Sequence, residues 1–351
     1  MDANASQHEL EAHPFSLTFA LQAVARRAGC DVDLDDLHAV LGLSWMFCAV
    51  REEDHPCRWP LYARDAFVIE AGRQFGLTLR ELHPPQAAHG LRLAPEFDQH
   101  FDASYRPIIF RALEHGQPVL AWQGWPGKAE LLWGLIERTC QDGVGFRGRV
   151  HTSESRTEEL LLEHPPVQLY VIETVTPTQP SPDDLWEMAQ AHAGLILNNN
   201  LIERFGVETG PTAFDRWIEV LHTLDPSLEH QTGITQPPAA GSLGTFPTGT
   251  HDAADIARAH RALAITTAAA HRSAIRFLQR QRPRALPKAQ AAMETLTHLC
   301  QMVVLALDNA TEANDVGSLA DPADERSRLI RRITTARDAT AAMRDALTPT
   351  R

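Results

Sequence analysis

The chain has no run of about 18 apolar residues, so no membrane-spanning helix is expected. It has no CxxC pair, and its five cysteines, Cys30, Cys48, Cys57, Cys140 and Cys300, are scattered. An odd, dispersed set fits free thiols in a reducing cytoplasm and argues against a disulfide framework. Positive charge is scarce: 32 Lys and Arg face 45 Asp and Glu, for a net charge of −13. That balance excludes a general nucleic-acid binder, though not a local basic patch. The polar, acidic start, Met1 to Glu9, lacks the basic and apolar regions of a signal peptide. Internal repeats are absent. None of the 17 histidines joins a zinc-like spacing; His8 and His13 lie five apart without further partners. No metal and no cofactor is expected.

What is present is an ordinary soluble composition, 44% hydrophobic and 22% charged over 351 residues, long enough for two domains. Ser16 to Gly29 reads as a short helix with Leu17, Leu21, Val24, Ala25 and Ala28 on one face and Gly29 as its stop. Ser16 is placed as its N-cap. Asp31 to Leu41 predicts a second helix whose acidic start suits the helix dipole. Leu43 to Phe47 reads as an apolar loop or short strand. Ala63 to Gly76 and Arg106 to Leu113 predict two more helices.

The period then changes. Val119–Trp122, Leu131–Thr139, Val144–Val150 and Val167–Ile172 read as strands, with Gln141-Asp142-Gly143 as a hairpin turn. Helices followed by a strand meander make an α+β domain. The proline-rich joint Thr176 to Pro182 closes it, so domains of 1–178 and 179–351 are expected. The second is helical: Asp183–Leu197, Pro211–Leu221 and three long alanine-rich patterns, with a Gly/Pro/Ser/Thr-rich loop over 225–250.

The order of these motifs resembles the butirosin-biosynthesis acyltransferase family (the BtrH N-terminal type), which is related to bacteriocin-processing cysteine peptidases. Ser16 takes the place of that family's helix-opening cysteine. Ala20-Leu21 and Gly29 fit its helix. Gly42-Leu43-Ser44, Gly116-Gln117-Pro118 with the strand after it, Trp133-Gly134-Leu135-Ile136 and Gly210–Leu221 fit later segments. The match covers most of residues 13 to 221. It implies a papain-like cysteine-peptidase-type α+β domain followed by the helical domain. Active members use a cysteine at the helix head and a histidine at the start of a later strand. That histidine position falls at Trp133-Gly134, and the orienting partner's at His151-Thr152-Ser153. Neither Trp133 nor Gly134 can take a proton, and no carboxylate stands in the second place.

Two function classes follow. One is a catalytically degenerate protein that binds a small molecule, an acyl carrier or another partner in the former cleft, edged by Trp45, Trp122, Gln123, Trp125 and Trp133. The other is an acyltransferase or amide hydrolase that uses Ser16, with His13, His55 or His151 as base, or a relocated Cys48 or Cys57 beside His55. A base must come within about 3 Å of such a nucleophile. Each feature has a plain structural alternative. Ser16 serves equally as a helix cap, and the tryptophans equally as core. Cys48 reads more simply as a small buried hydrophobe. Glu52-Glu53-Asp54 reads as a solvated turn, and Asn198-Asn199-Asn200 as a helix C-terminal turn. The helical tail could also dock the chain into an oligomer or a biosynthetic assembly.

Overall fold

A computed structural model describes residues 15–50, 65–82, 97–129, 132–141, 143–151, 156–166, 168–199, 207–223, 253–312 and 323–347. His13, Glu52, Glu53, Asp54, His55, Cys57, Asn200 and the 225–250 loop lie outside the described residues, as does the side chain of Cys48.

The chain opens with α1 (Ser16–Arg27), which buries all but its last turn, followed by α2 (Leu34–Val40). Phe15, not Ser16, stands at the N-cap of α1, and Ser16 begins the helix itself. Asp33 caps α2 by accepting from the main-chain N–H groups of Asp35 and Asp36. Leu43–Trp45 is a single 3-10 turn rather than a strand. After it come β1 (Cys48–Val50), α3 (Asp65–Gln74) and β2 (Leu77–Glu81). A helical run through Phe97–His100 and Phe101–Tyr105 leads into α4 (Arg106–Glu114), with Pro107 in its first turn.

The strands β3 (Val119–Trp122), β4 (Trp133–Thr139), β5 (Phe146–His151), β6 (Thr157–Leu162) and β7 (Gln168–Val175) follow. With β2 they form a six-stranded sheet of order β2-β7-β3-β4-β5-β6, every neighbour antiparallel. The four strand patterns read from the sequence are all present. β2 and β6 are the two edges, and neither was read as a strand.

The chain then becomes helical: α5 (Pro182–Leu197), a short β8 (Val207–Thr209), α6 (Gly210–Thr223), α7 (Ala253–Gln281), α8 (Pro287–Glu312) and α9 (Ala323–Leu347). Ser181 starts α5 with a reciprocal capping box to Asp184. β8 pairs antiparallel with β1. The architecture is therefore mixed α+β, with N-terminal helices, an antiparallel sheet and a C-terminal helical part. No helix among the described residues is long and apolar enough to cross a membrane.

The alternation of side chains along the strands divides the core in two. On one face Leu77, Leu79, Leu120, Trp122, Trp133, Leu135, Tyr170 and Ile172 join a cluster with α1 and α3, β4 lying against α1 and β2 against α3, and this cluster runs on into α5 to α9. On the other face Val119, Ala121, Ile136, Val150, Leu169 and Val171 pack against Ile109 and Ala112 of α4.

Polar groups fasten the helical part to the front of the chain. Asp35 is buried and accepts from Ser273 Oγ at 2.7 Å and from Arg276 Nε and Nη2, both at 2.8 Å. Asp36 accepts from Arg280 at 2.6 Å and Gln281 at 2.8 Å. The fork of Arg276 meets one carboxylate with two parallel bonds, the stronger form of such a pair. His192 of α5 donates Nδ1–H to the Val40 carbonyl, stacks on Phe67 and sets Nε2 3.0 Å from Glu70 of α3.

Candidate functional site

The head of α1 abuts the start of β4. Ser16 Oγ accepts a hydrogen bond from the main-chain N–H of Trp133 at 3.3 Å, across 117 positions of sequence. The neighbouring strand supplies the third position. Gly134 pairs with Val150, so His151 comes one step beyond, alongside Trp133. The His151 ring lies 6.1 Å from that of Phe19, one turn along α1. Its Nδ1 is 3.3 Å from Thr157 Oγ1. Burial, with a smaller contribution from the charge of Arg27, holds the His151 pKa below the usual histidine value.

Ser16 is only 2% exposed. None of the described histidines hydrogen-bonds its hydroxyl. His38 of α2, against the buried side of α1, pairs through Nδ1 with Thr18 Oγ1 at 2.8 Å and stacks on Phe15 at 4.1 Å between centroids. Gln22 reaches the Val32 carbonyl at 2.8 Å. The polar side chains of α1 therefore anchor the helix within the fold.

Beside this head lies an aromatic row. Trp122 and Trp133 stack at 6.3 Å, and Trp133 and Tyr170 at 5.9 Å. Gln168 Nε2 donates to Tyr170 Oη at 2.6 Å and approaches Glu81 Oε1 at 3.4 Å. This chain of carboxylate, amide and phenol was not anticipated. Its members come from β2 and β7, which are far apart in sequence, and no local pattern marks them.

The other candidate residues separate. Trp45 is fully buried in the main core, its indole N–H without a partner among the described residues. Trp125 is on the opposite side of the sheet from Ser16, in the α4 cluster, and 1% exposed. Its ring occupies a slot that two glycines leave open. A Cβ on Gly134 would come 2.7 Å from Trp125 Cζ2, and one on Gly148 would come 2.7 Å from Cη2.

Gln123 sits at the tip between these two tryptophans, with φ of +66°, a conformation that a residue with a side chain seldom adopts. Its Oε1 is buried without a hydrogen-bond partner among the described residues. Strain and an unmet acceptor at one residue are costs that functional positions often carry. Gln123→Gly is expected to raise stability by about 1 kcal/mol, the relief of both costs outweighing the entropy of an added glycine. Chemical denaturation would measure it; a loss of stability would show that the side chain supports the fold.

Among the described residues no group of three or more His, Cys, Asp or Glu could hold a metal ion. Cys30 and Cys300 are buried, and burial pushes the Cys300 thiol far above its usual pKa, which makes it inert. Comparison with known proteins finds no family model that matches this chain, and no curated protein that matches it significantly.

Proposed function

We propose that the chain is a catalytically degenerate relative of the papain-like butirosin-biosynthesis acyltransferases. Its fold is kept to bind a small molecule, an acyl carrier or another partner at the former cleft, where the head of α1 meets the start of β4. One observation carries this reading: the hydroxyl of Ser16 is buried and takes up the main-chain N–H of Trp133, the residue at the expected place of the base. An indole accepts no proton, so the pair cannot activate a nucleophile. The helix head against the start of an antiparallel strand is the arrangement the resemblance leads one to expect. Trp122, Gln168 and Tyr170 are buried there, which leaves half-buried Gln123 and Glu81 at the rim to meet a partner. The buried free thiols suit a reducing compartment, the cytoplasm.

Mass spectrometry after incubation with fluorophosphonate and iodoacetamide probes tests the proposal. No adduct is expected on Ser16. Ser16→Ala is expected to fold and to lose about 1–2 kcal/mol, because it leaves the Trp133 N–H without that acceptor. Stoichiometric fluorophosphonate labelling of Ser16, or alkylation of Cys48 or Cys57 at least about tenfold faster than that of a free cysteine at the same pH, would overturn the reading in favour of an acyltransferase or amide hydrolase.

A further inference from the structure

Beyond α1 the sheet carries an uncovered face. Cross-strand pairing puts Arg147 opposite Leu161, Arg149 opposite Glu159, and His151 opposite Thr157, all on the side where α1 packs over β4 and reaches β5 at His151. Arg147, Arg149, Thr157, Glu159 and Leu161 are exposed, whereas Leu160 and Leu162 on the reverse side pack against the α4 cluster.

The charges on this face do not balance. Arg149 holds Glu137 with two bonds, Nε at 2.6 Å and Nη2 at 2.9 Å, and Arg27 from α1 pairs with the same carboxylate. Arg138 pairs with Glu159, and Arg147 stands 3.6 Å from it. Among the described residues four guanidiniums thus share two carboxylates, on a chain whose net charge is −13. Within the patch Leu161 leaves 39% of its surface in water.

We propose that this face of β5 and β6 docks an acidic amphipathic helix of a partner protein. Charge complementarity selects the occupant. Arginines two apart on a strand lie about 7 Å from each other. Carboxylates at i and i+4 of a helix lie about 6 Å apart, so one helical row spans two arginines. The row of carboxylates takes the share of each guanidinium that Glu137 and Glu159 leave uncompensated, and apolar residues of the same helix seat on Leu161. The guanidiniums that converge, Arg27 with Arg149 and Arg138 with Arg147, already hold Glu137 and Glu159, so a single small anion would have to displace a carboxylate. The surface adjoins the head of α1 at His151, but its charges lie on other residues and the proposal does not depend on the reading of Ser16.

The test is fluorescence anisotropy with a fluorescein-labelled peptide of Glu and Leu at helical spacing, on the full chain. Binding is expected to weaken steeply with added salt. The exposed double variant Arg147→Gln/Arg149→Gln is expected to weaken it about tenfold or more, and Arg147→Lys/Arg149→Lys to restore part of the loss. Leu161→Ser, which leaves every charge in place, is expected to weaken binding as well. Ser16→Ala is expected to leave it unchanged. Equal binding of a Lys-for-Glu peptide, or equal affinity in the Gln variant, would overturn the proposal. So would inorganic pyrophosphate binding in place of the peptide, which would mark a small-anion site.

Discussion

Acidification from pH 6.5 to pH 4 is expected to remove about 5 kcal/mol of stability, comparable to the whole margin of many domains. Two buried histidines dictate this. Burial pushes the His38 pKa down to about 3, with the charge of Asp35 pulling it up and that of Arg276 adding to the depression. Burial likewise pushes His271 down to about 4, against the pull of its bond to the Thr267 carbonyl. In the unfolded chain both titrate near their ordinary value of 6.5. Between the two values the unfolded state binds protons that the folded state refuses, so stability falls as pH falls. Each histidine contributes about 1.4 kcal/mol per pH unit in that window. Asp35 acts at more acid pH. Burial alone would raise its pKa, but its bonds from Arg276 and Ser273 reverse that, so its stabilisation persists until the pH falls through the lowered value. Asp36 opposes it: burial raises its pKa despite Arg280, and its protonation relieves a cost. Urea midpoints measured at steps from pH 7 to pH 4 would show the slope. His271→Leu should have about half of it. A flat profile over this range would refute the burial of neutral imidazoles.

Truncating Trp125 is expected to cost about 3–5 kcal/mol, because it empties a slot between two strands that cannot close. Trp125→Phe should cost much less. It keeps most of the ring and removes an indole N–H that has no partner among the described residues. The slot itself is testable. A Cβ on Gly134 would meet side chains alone, Trp125 at 2.7 Å and Val150 at 2.8 Å. Gly134→Ala should therefore be partly rescued by Trp125→Phe. On Gly148 the Cβ would fall 2.1 Å from the Leu135 carbonyl oxygen, which no change at Trp125 relieves. Denaturation of the single and double variants decides the matter. If Trp125→Ala keeps full stability and alters only ligand binding, the residue lines a cleft after all.

Residues with strong periodicity were legible in the sequence. The helices α1 to α9 and the apolar strands β3, β4, β5 and β7 follow from their spacing. β6 did not, since Thr157-Glu158-Glu159-Leu160-Leu161-Leu162 is rich in helix formers and becomes a strand only by pairing with β5. β1 and β8 are three residues each and exist through one another. At the site, the meeting of Ser16 with Trp133 is a tertiary fact, although the order of motifs had singled out both. Composition could not separate a core tryptophan from a cleft tryptophan. Two glycines inside strands, Gly134 and Gly148, were the available signal that something bulky comes close to the sheet. His38 lies among apolar neighbours in a helix, and nothing local shows that its ring would be sealed between Phe15 and Thr18.

The fastening of α2 to α7 has a consequence for how the molecule is made. Asp35 and Asp36 bond partners 238 to 245 positions further on. During synthesis the amino-terminal helices leave the ribosome long before Ser273, Arg276 and Arg280 exist. Until then Asp35 has no guanidinium, and the apolar side of α2 lacks the helix that covers it. Long-range closure of this kind is slow and leaves sticky surface open in the meantime. The nascent chain thus keeps this apolar surface in water until its last third arrives.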